Sequence, residues 1–132
     1  MRLTADTNIL VRLVVADDPV QTKAAQDLVE GAELVAMPLL ALAEMCWVLQ
    51  RVYGLSKSDA ALAVRALTNA ANVSVDIRAV EAGLAVLDEG GDFADGAIAQ
   101  DGIWLGGETF VSFDKQAVKL LQAAGQPAQL ID

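Results

Sequence analysis

Histidine is absent from the 132-residue chain, and cysteine occurs once, as Cys46. Without histidine there is no Ser-His-Asp or Cys-His nucleophile system, no imidazole general base and no histidine-bound zinc centre. A lone thiol cannot close an intramolecular disulfide, and the apolar neighbours of Cys46 predict a packed thiol in a reducing compartment. Basic residues are scarce as well: nine Lys and Arg stand against eighteen Asp and Glu, for a formal net charge of −9. Such a charge repels a phosphate backbone unless cations or local Lys and Arg intervene, and makes a basic partner easier to accommodate than bare nucleic acid. No apolar run reaches the roughly 20 residues that span a bilayer. The longest, Leu34 to Leu49, is interrupted by Pro38 and Glu44. No basic start followed by an apolar centre and a small-residue cleavage site is present, so the expected location is the cytoplasm.

What remains is ample core material, with 55% apolar residues and a mean hydropathy of +0.42. One compact domain over residues 1–132 is expected. The apolar segment ending at Ala5 predicts a strand, and Ile9, Leu10, Leu13 and Val14 then recur at helical spacing. Pro19 behind Asp17-Asp18 suits the first turn of a second helix, stopped by Gly31. Glu33 to Ala36 reads as a strand, Leu39 to Tyr53 as a helix ending at Gly54, and Ser56 as the cap of a helix reaching about Ala71. Val73 to Val75 is a third strand candidate. Asp76 begins a helix through Leu87, and Gly90-Gly91 separates it from another starting near Phe93. Thr109 to Phe113 is a strand, Lys115 to Ala124 a helix and Ala128 to Ile131 a last strand. This alternation predicts an α/β three-layer sandwich with a short, mostly parallel sheet flanked by helices.

In open parallel sheets ligands bind beyond the carboxyl ends of the strands, and both Asp6 and Asp114 stand there. Each is equally able to cap the helix that follows. Glu44 is the only charge among the sixteen residues from Leu34 to Leu49. Its helical neighbours Leu40, Ala41, Trp47 and Val48 are apolar, and burying an unpaired carboxylate costs several kcal/mol, about 2–7 even for a neutral polar group, so a site role is favoured over a bland exposed one. Asp92 and Asp95 lie three apart, placing Asp92 as cap and Asp95 in the first turn of the next helix. Acids converging on one spot repel each other, and the remedy is a hard divalent cation, Mg²⁺ or Mn²⁺, able to activate water against a phosphodiester.

Asp6-Thr7-Asn8, Glu44 in its apolar helix, Asp92-Phe93-Ala94-Asp95 and Ser112-Phe113-Asp114 together resemble the acidic signature of PIN-domain nucleases. The stretches ADTNILVRL and VSFDK are most similar to the VapC-type toxins of toxin–antitoxin pairs. The resemblance runs essentially from Met1 to Asp132. It implies a PIN-like fold and metal-dependent cleavage of RNA, with Asp6, Glu44, Asp95 and Asp114 holding Mg²⁺ or Mn²⁺ and Asn8, Asp92 and Ser112 in secondary, orienting roles. It further implies a cognate antitoxin, whose basic segment the acidic charge would attract, and a homodimer. Gly96 departs from the pattern, where a better helix former is expected after Asp95.

Arg12, Lys115 and Lys119 stand near the expected site and are candidates for contacts to RNA phosphates. Two rival readings have distinct requirements. A receiver-like phosphoacceptor needs an acidic pair after the first strand and a lysine ending a late one, whereas here Asp6 is followed by Thr7-Asn8 and Lys115 follows Asp114. A non-catalytic binding module leaves a charge at Glu44 without a purpose. Trp47, Val48 and Tyr53 belong either to the core or to an interface, with the core favoured for Trp47.

Overall fold

The computed structural model describes all 132 residues, and its chain contacts divide them into two compact units, Met1–Asp76 and Ile77–Asp132. The first unit contains β1 (Arg2–Thr4), α1 (Thr7–Val14), α2 (Pro19–Gly31), β2 (Leu34–Ala36), α3 (Leu39–Arg51), α4 (Lys57–Thr68) and β3 (Val73–Ser74). Its sheet has the order β1-β2-β3 with both pairings parallel, Leu3 opposite Val35 and Val35 opposite Val73. Parallel neighbours need crossovers, which the intervening helices provide. The ladder continues one residue past β1, where the Ala5 N–H donates to the Ala36 carbonyl at 3.0 Å. Asp6 is therefore the first residue released from the sheet. Beneath it Leu10, Val11, Leu42, Met45 and Leu49 are buried where α1 packs on α3.

Cys46 lies in that core at 2% exposure, and burial pushes its thiol up to about 12. Only the ionised form of a thiol is nucleophilic, so the buried Cys46 is poorly reactive in the native protein. Iodoacetamide should accordingly label the native protein only as fast as it unfolds, and denaturant should release rapid labelling. Rapid alkylation without denaturant would show that Cys46 is accessible in the native state.

The second unit contains α5 (Ile77–Asp88), α6 (Phe93–Trp104), β4 (Phe110–Ser112), α7 (Lys115–Ala123) and β5 (Ala128–Leu130). β4 and β5 pair in parallel, Ser112 opposite Leu130, with α7 as the crossover packed on both. α5 and α6 meet along an extensive face that includes Gly83 and Phe93, and Val80, Leu84 and Leu87 of α5 are also buried. Gly90, at φ +92°, provides the left-handed turn that lets the chain double back between them.

Every strand and helix read from the sequence is present, all strand pairings are parallel, and the fold is of the expected α/β class. The boundaries differ in two instructive places. α2 runs through Gly31, which keeps a negative φ, and the turn is made at Ala32, whose N–H reaches back to the Val29 carbonyl at 3.3 Å. α4 stops at Thr68, not Ala71. There the Asn72 amide donates to the Val29 and Ala32 carbonyls at 2.9 and 3.0 Å, pinning the chain as it turns into β3. Helix propensity favours Ala70 and Ala71 as helical, but this tertiary anchor overrides it.

Candidate functional site

The carboxyl end of β1 delivers Asp6 to the start of α1. Its Oδ1 accepts a hydrogen bond from the Ile9 N–H at 3.0 Å, satisfying one of the helix's orphan donors. Both sequence readings of Asp6 are compatible with this geometry, since the cap uses one carboxylate oxygen and leaves Oδ2. Asp114 repeats the arrangement at the end of β4. Its Oδ1 accepts from the Gln116 and Ala117 N–H groups at 2.9 and 3.1 Å, capping α7. Ser112 holds this turn from the other side: its Oγ accepts from the Asp114 N–H at 3.0 Å.

Asp92 occupies the N-cap position of α6, as expected, but its side chain makes no capping bond to the helix. The Asp92 carbonyl instead accepts from the Asp95 N–H at 3.1 Å. Asp95 lies in the first turn, half-buried, while Asp92 is exposed.

Glu44 is not buried. It lies exposed on α3, on a stripe with Leu40 at 79% and Trp47 at 59% exposure. Contrary to the expectation from its apolar neighbours, the Glu44 carboxylate bears no burial cost, and Trp47, expected in the core, lies outside it. Continuous apolar composition concealed an outward-facing stripe because two of its members, Leu40 and Trp47, are apolar yet solvent-facing. A helix whose apolar residues surround it on every side leaves no periodicity from which to read its outer face.

Asn8, in the first turn of α1, and Arg12, in its last turn, line a groove of about 470 Å³ together with Asp6, Ile9, Gln21 and Leu28. Arg12 is not free there. Its guanidinium donates to Asp17 and, at 3.4 Å, to the Tyr53 hydroxyl, which itself donates to Asp17 Oδ2 at 2.9 Å. The bond to Tyr53 is the largest influence raising the Arg12 pKa, with Asp17 adding to it. The sequence offered no local signal for this clamp, because Tyr53 is 41 residues from Arg12. Lys115, by contrast, is exposed in the first turn of α7, beside Asp114, and Lys119 is exposed one turn on.

Asp6 and Glu44 belong to the first unit, and Asp95 and Asp114 to the second. Within neither unit do three or more Asp, Glu or Cys side chains gather closely enough to hold a metal ion. The donor chemistry nevertheless fits a hard divalent cation. Each of these residues offers carboxylate oxygen, and the caps leave Asp6 and Asp114 one oxygen apiece.

The fold and these acids define a class of α/β domain with carboxylates at the carboxyl ends of parallel strands. The family model of the PIN domain matches residues 4–121, and the chain belongs to that family. Among solved structures, it is similar to Mycobacterium tuberculosis VapC20, a sarcin–ricin loop cleaving toxin, at 20% identity and a TM-score of 0.44, over 94% of this chain and 95% of that one. A likeness so distant transfers no substrate. A comparison with curated proteins finds no match.

Proposed function

We propose that this chain is a divalent-metal-dependent endoribonuclease, a single PIN domain extending across both units, and the toxin of a toxin–antitoxin pair. PIN-family membership over residues 4–121 carries the reading. The placement of Asp6 and Asp114 at strand ends, each capping with only one oxygen, supports it. Asp6, Glu44, Asp95 and Asp114 would hold Mg²⁺ or Mn²⁺. When bound, the cation supplies a water of lowered pKa and offsets the charge of the scissile phosphate.

The chain's own residues prepare that chemistry. The cap bonds fix Asp6 and Asp114 in orientation before any ligand arrives, and Ser112 holds the Asp114 backbone. Asn8 and Asp92, both exposed beside a ligand acid, orient substrate or water. Lys115 contacts an RNA phosphate. Arg12 is placed to do so only on leaving Asp17, so its first duty is to tie α1 to the loop before α2. A cognate antitoxin with a basic segment neutralises the acidic chain, whose net charge is −9. A cytoplasmic homodimer completes the proposal; no helix is long and apolar enough to cross a membrane.

Purified protein should cleave RNA with Mg²⁺ or Mn²⁺ and stop when EDTA is in excess, because no histidine is present to replace the metal as activator of water. Cleavage that continues undiminished in EDTA would refute the metal-dependent mechanism.

A further inference from the structure

The first turn of α6 meets α5 through the Phe93 ring against Gly83 and, at Gly96, through backbone alone. A Cβ added at Gly96 would lie 2.2 Å from the Ala82 carbonyl oxygen, 2.7 Å from its carbon and 2.9 Å from Gly83 Cα, where real Cβ atoms come no closer than 3.0 Å. The reciprocal fit is nearly as tight: a Cβ at Gly83 would lie 2.6 Å from the ring of Phe93, itself only 1% exposed. Phe93 and Gly96 are one turn apart on the same face of α6 and flank Asp95 in sequence. No rotatable side chain intervenes at the Gly96 contact, so nothing there can absorb a change by shifting rotamer. The departure from the family pattern noted at Gly96 therefore has a physical reason, the close approach of two helix backbones.

From this geometry we infer that Gly96 is a positioning residue for Asp95, seating the first turn of α6 on the Ala82–Gly83 backbone so that the Asp95 carboxylate is set for a divalent cation. The inference rests on the proposed role of Asp95 as a metal ligand. Alanine at position 96 would have to push the first turn away by about 1 Å, since a backbone carbonyl cannot yield as a side chain can. Ligand constellations tolerate only about 0.5 Å of error. A misplacement of about 1 Å costs on the order of 10²-fold in rate.

The test uses the full-length protein and Mn²⁺ alone, with affinity read by calorimetry and RNA cleavage as a second measurement. Gly96→Ala should weaken Mn²⁺ binding about ten-fold or more and lower kcat about 10²-fold, by the positional sensitivity given above. Adding Asp95→Glu should restore much of the affinity, because one further methylene spans the displacement. In the wild-type background the same Asp95→Glu change should weaken binding. Val80→Ala, at a buried α5 position that is not among the groups packed against Gly96 or Phe93, should lower the melting temperature with Mn²⁺ affinity unchanged. Should Gly96→Ala fail to fold, Gly83→Ala presses the same turn through the Phe93 ring, and Gly83→Ala with Phe93→Leu should recover the affinity that Gly83→Ala loses.

If wild-type protein fails to bind Mn²⁺, or Asp95→Asn binds it undiminished, Asp95 is not a ligand and both the site reading and this inference fall. Binding lost in Asp95→Asn but unchanged in Gly96→Ala overturns the positioning role alone. So does a Gly96→Ala loss that Asp95→Glu cannot relieve and that Val80→Ala reproduces.

Discussion

Replacing Asp114 with asparagine is expected to reduce RNA cleavage by on the order of 10³-fold, beyond the 10–100-fold typical of groups that only orient a metal ligand. Stability should change little. The two consequences separate because the carboxylate has two separable duties. Its Oδ1 accepts the Gln116 and Ala117 N–H groups at the start of α7, and asparagine caps helices about as well as aspartate. Only the favourable meeting of a negative charge with the helix N-terminus is lost, about 0.3–1 kcal/mol. The second oxygen, however, becomes an NH₂ group that donates hydrogen bonds and cannot coordinate a cation. Asp114→Ala should lose cleavage to the same extent and a further ~1 kcal/mol with the cap. Asp6→Asn and Asp6→Ala should show the same division through the single bond to Ile9. The comparison needs initial rates with Mn²⁺ and thermal melts in EDTA for all of these proteins. An asparagine variant that cuts at the wild-type rate would leave its residue as a helix cap and nothing more.

The legibility of these residues in the sequence varied with how local their determinants are. Asp6 and Asp114 were readable because a short apolar run, an acid and a helical repeat are contiguous in the chain, and the cap bonds span only three residues. The strands were readable for the same reason, down to a residue or two at their ends. For Glu44 the sequence reveals the helix but not the environment, since its solvent exposure depends on which side of α3 faces the core. That orientation is set by packing against α1 and α4 and leaves no trace in a helix apolar all round. Gly96 was legible only as an oddity. Its reason lies in the carbonyl of Ala82, on another helix, where no spacing rule connects them. The clamp of Tyr53 and Asp17 on Arg12 was likewise invisible, and it changes the part Arg12 is able to play.

Glu44→Gln is expected to abolish cleavage or reduce it on the order of 10³-fold, again well beyond the 10–100-fold effect of an orienting group. Its effect on stability should depend entirely on metal. Had Glu44 been buried among Leu40, Ala41 and Val48, removing its charge would stabilise the metal-free protein. The side chain is instead exposed, with water available to both forms of the residue. Exposed substitutions away from caps and ion pairs stay within about 0.5 kcal/mol. No salt bridge of the chain involves Glu44. Melting curves of wild type and Glu44→Gln in EDTA should therefore coincide. With Mn²⁺ they should part, because a ligand that binds only the folded state stabilises by mass action, about 2.7 kcal/mol at a hundred times Kd. The wild type gains this in full, and a variant lacking one ligand gains less at the same concentration. Melts at pH 7.5 across a Mn²⁺ titration check both halves. Equal gains in the two proteins would remove Glu44 from the metal site, and a variant already less stable in EDTA would reveal a structural partner for the carboxylate.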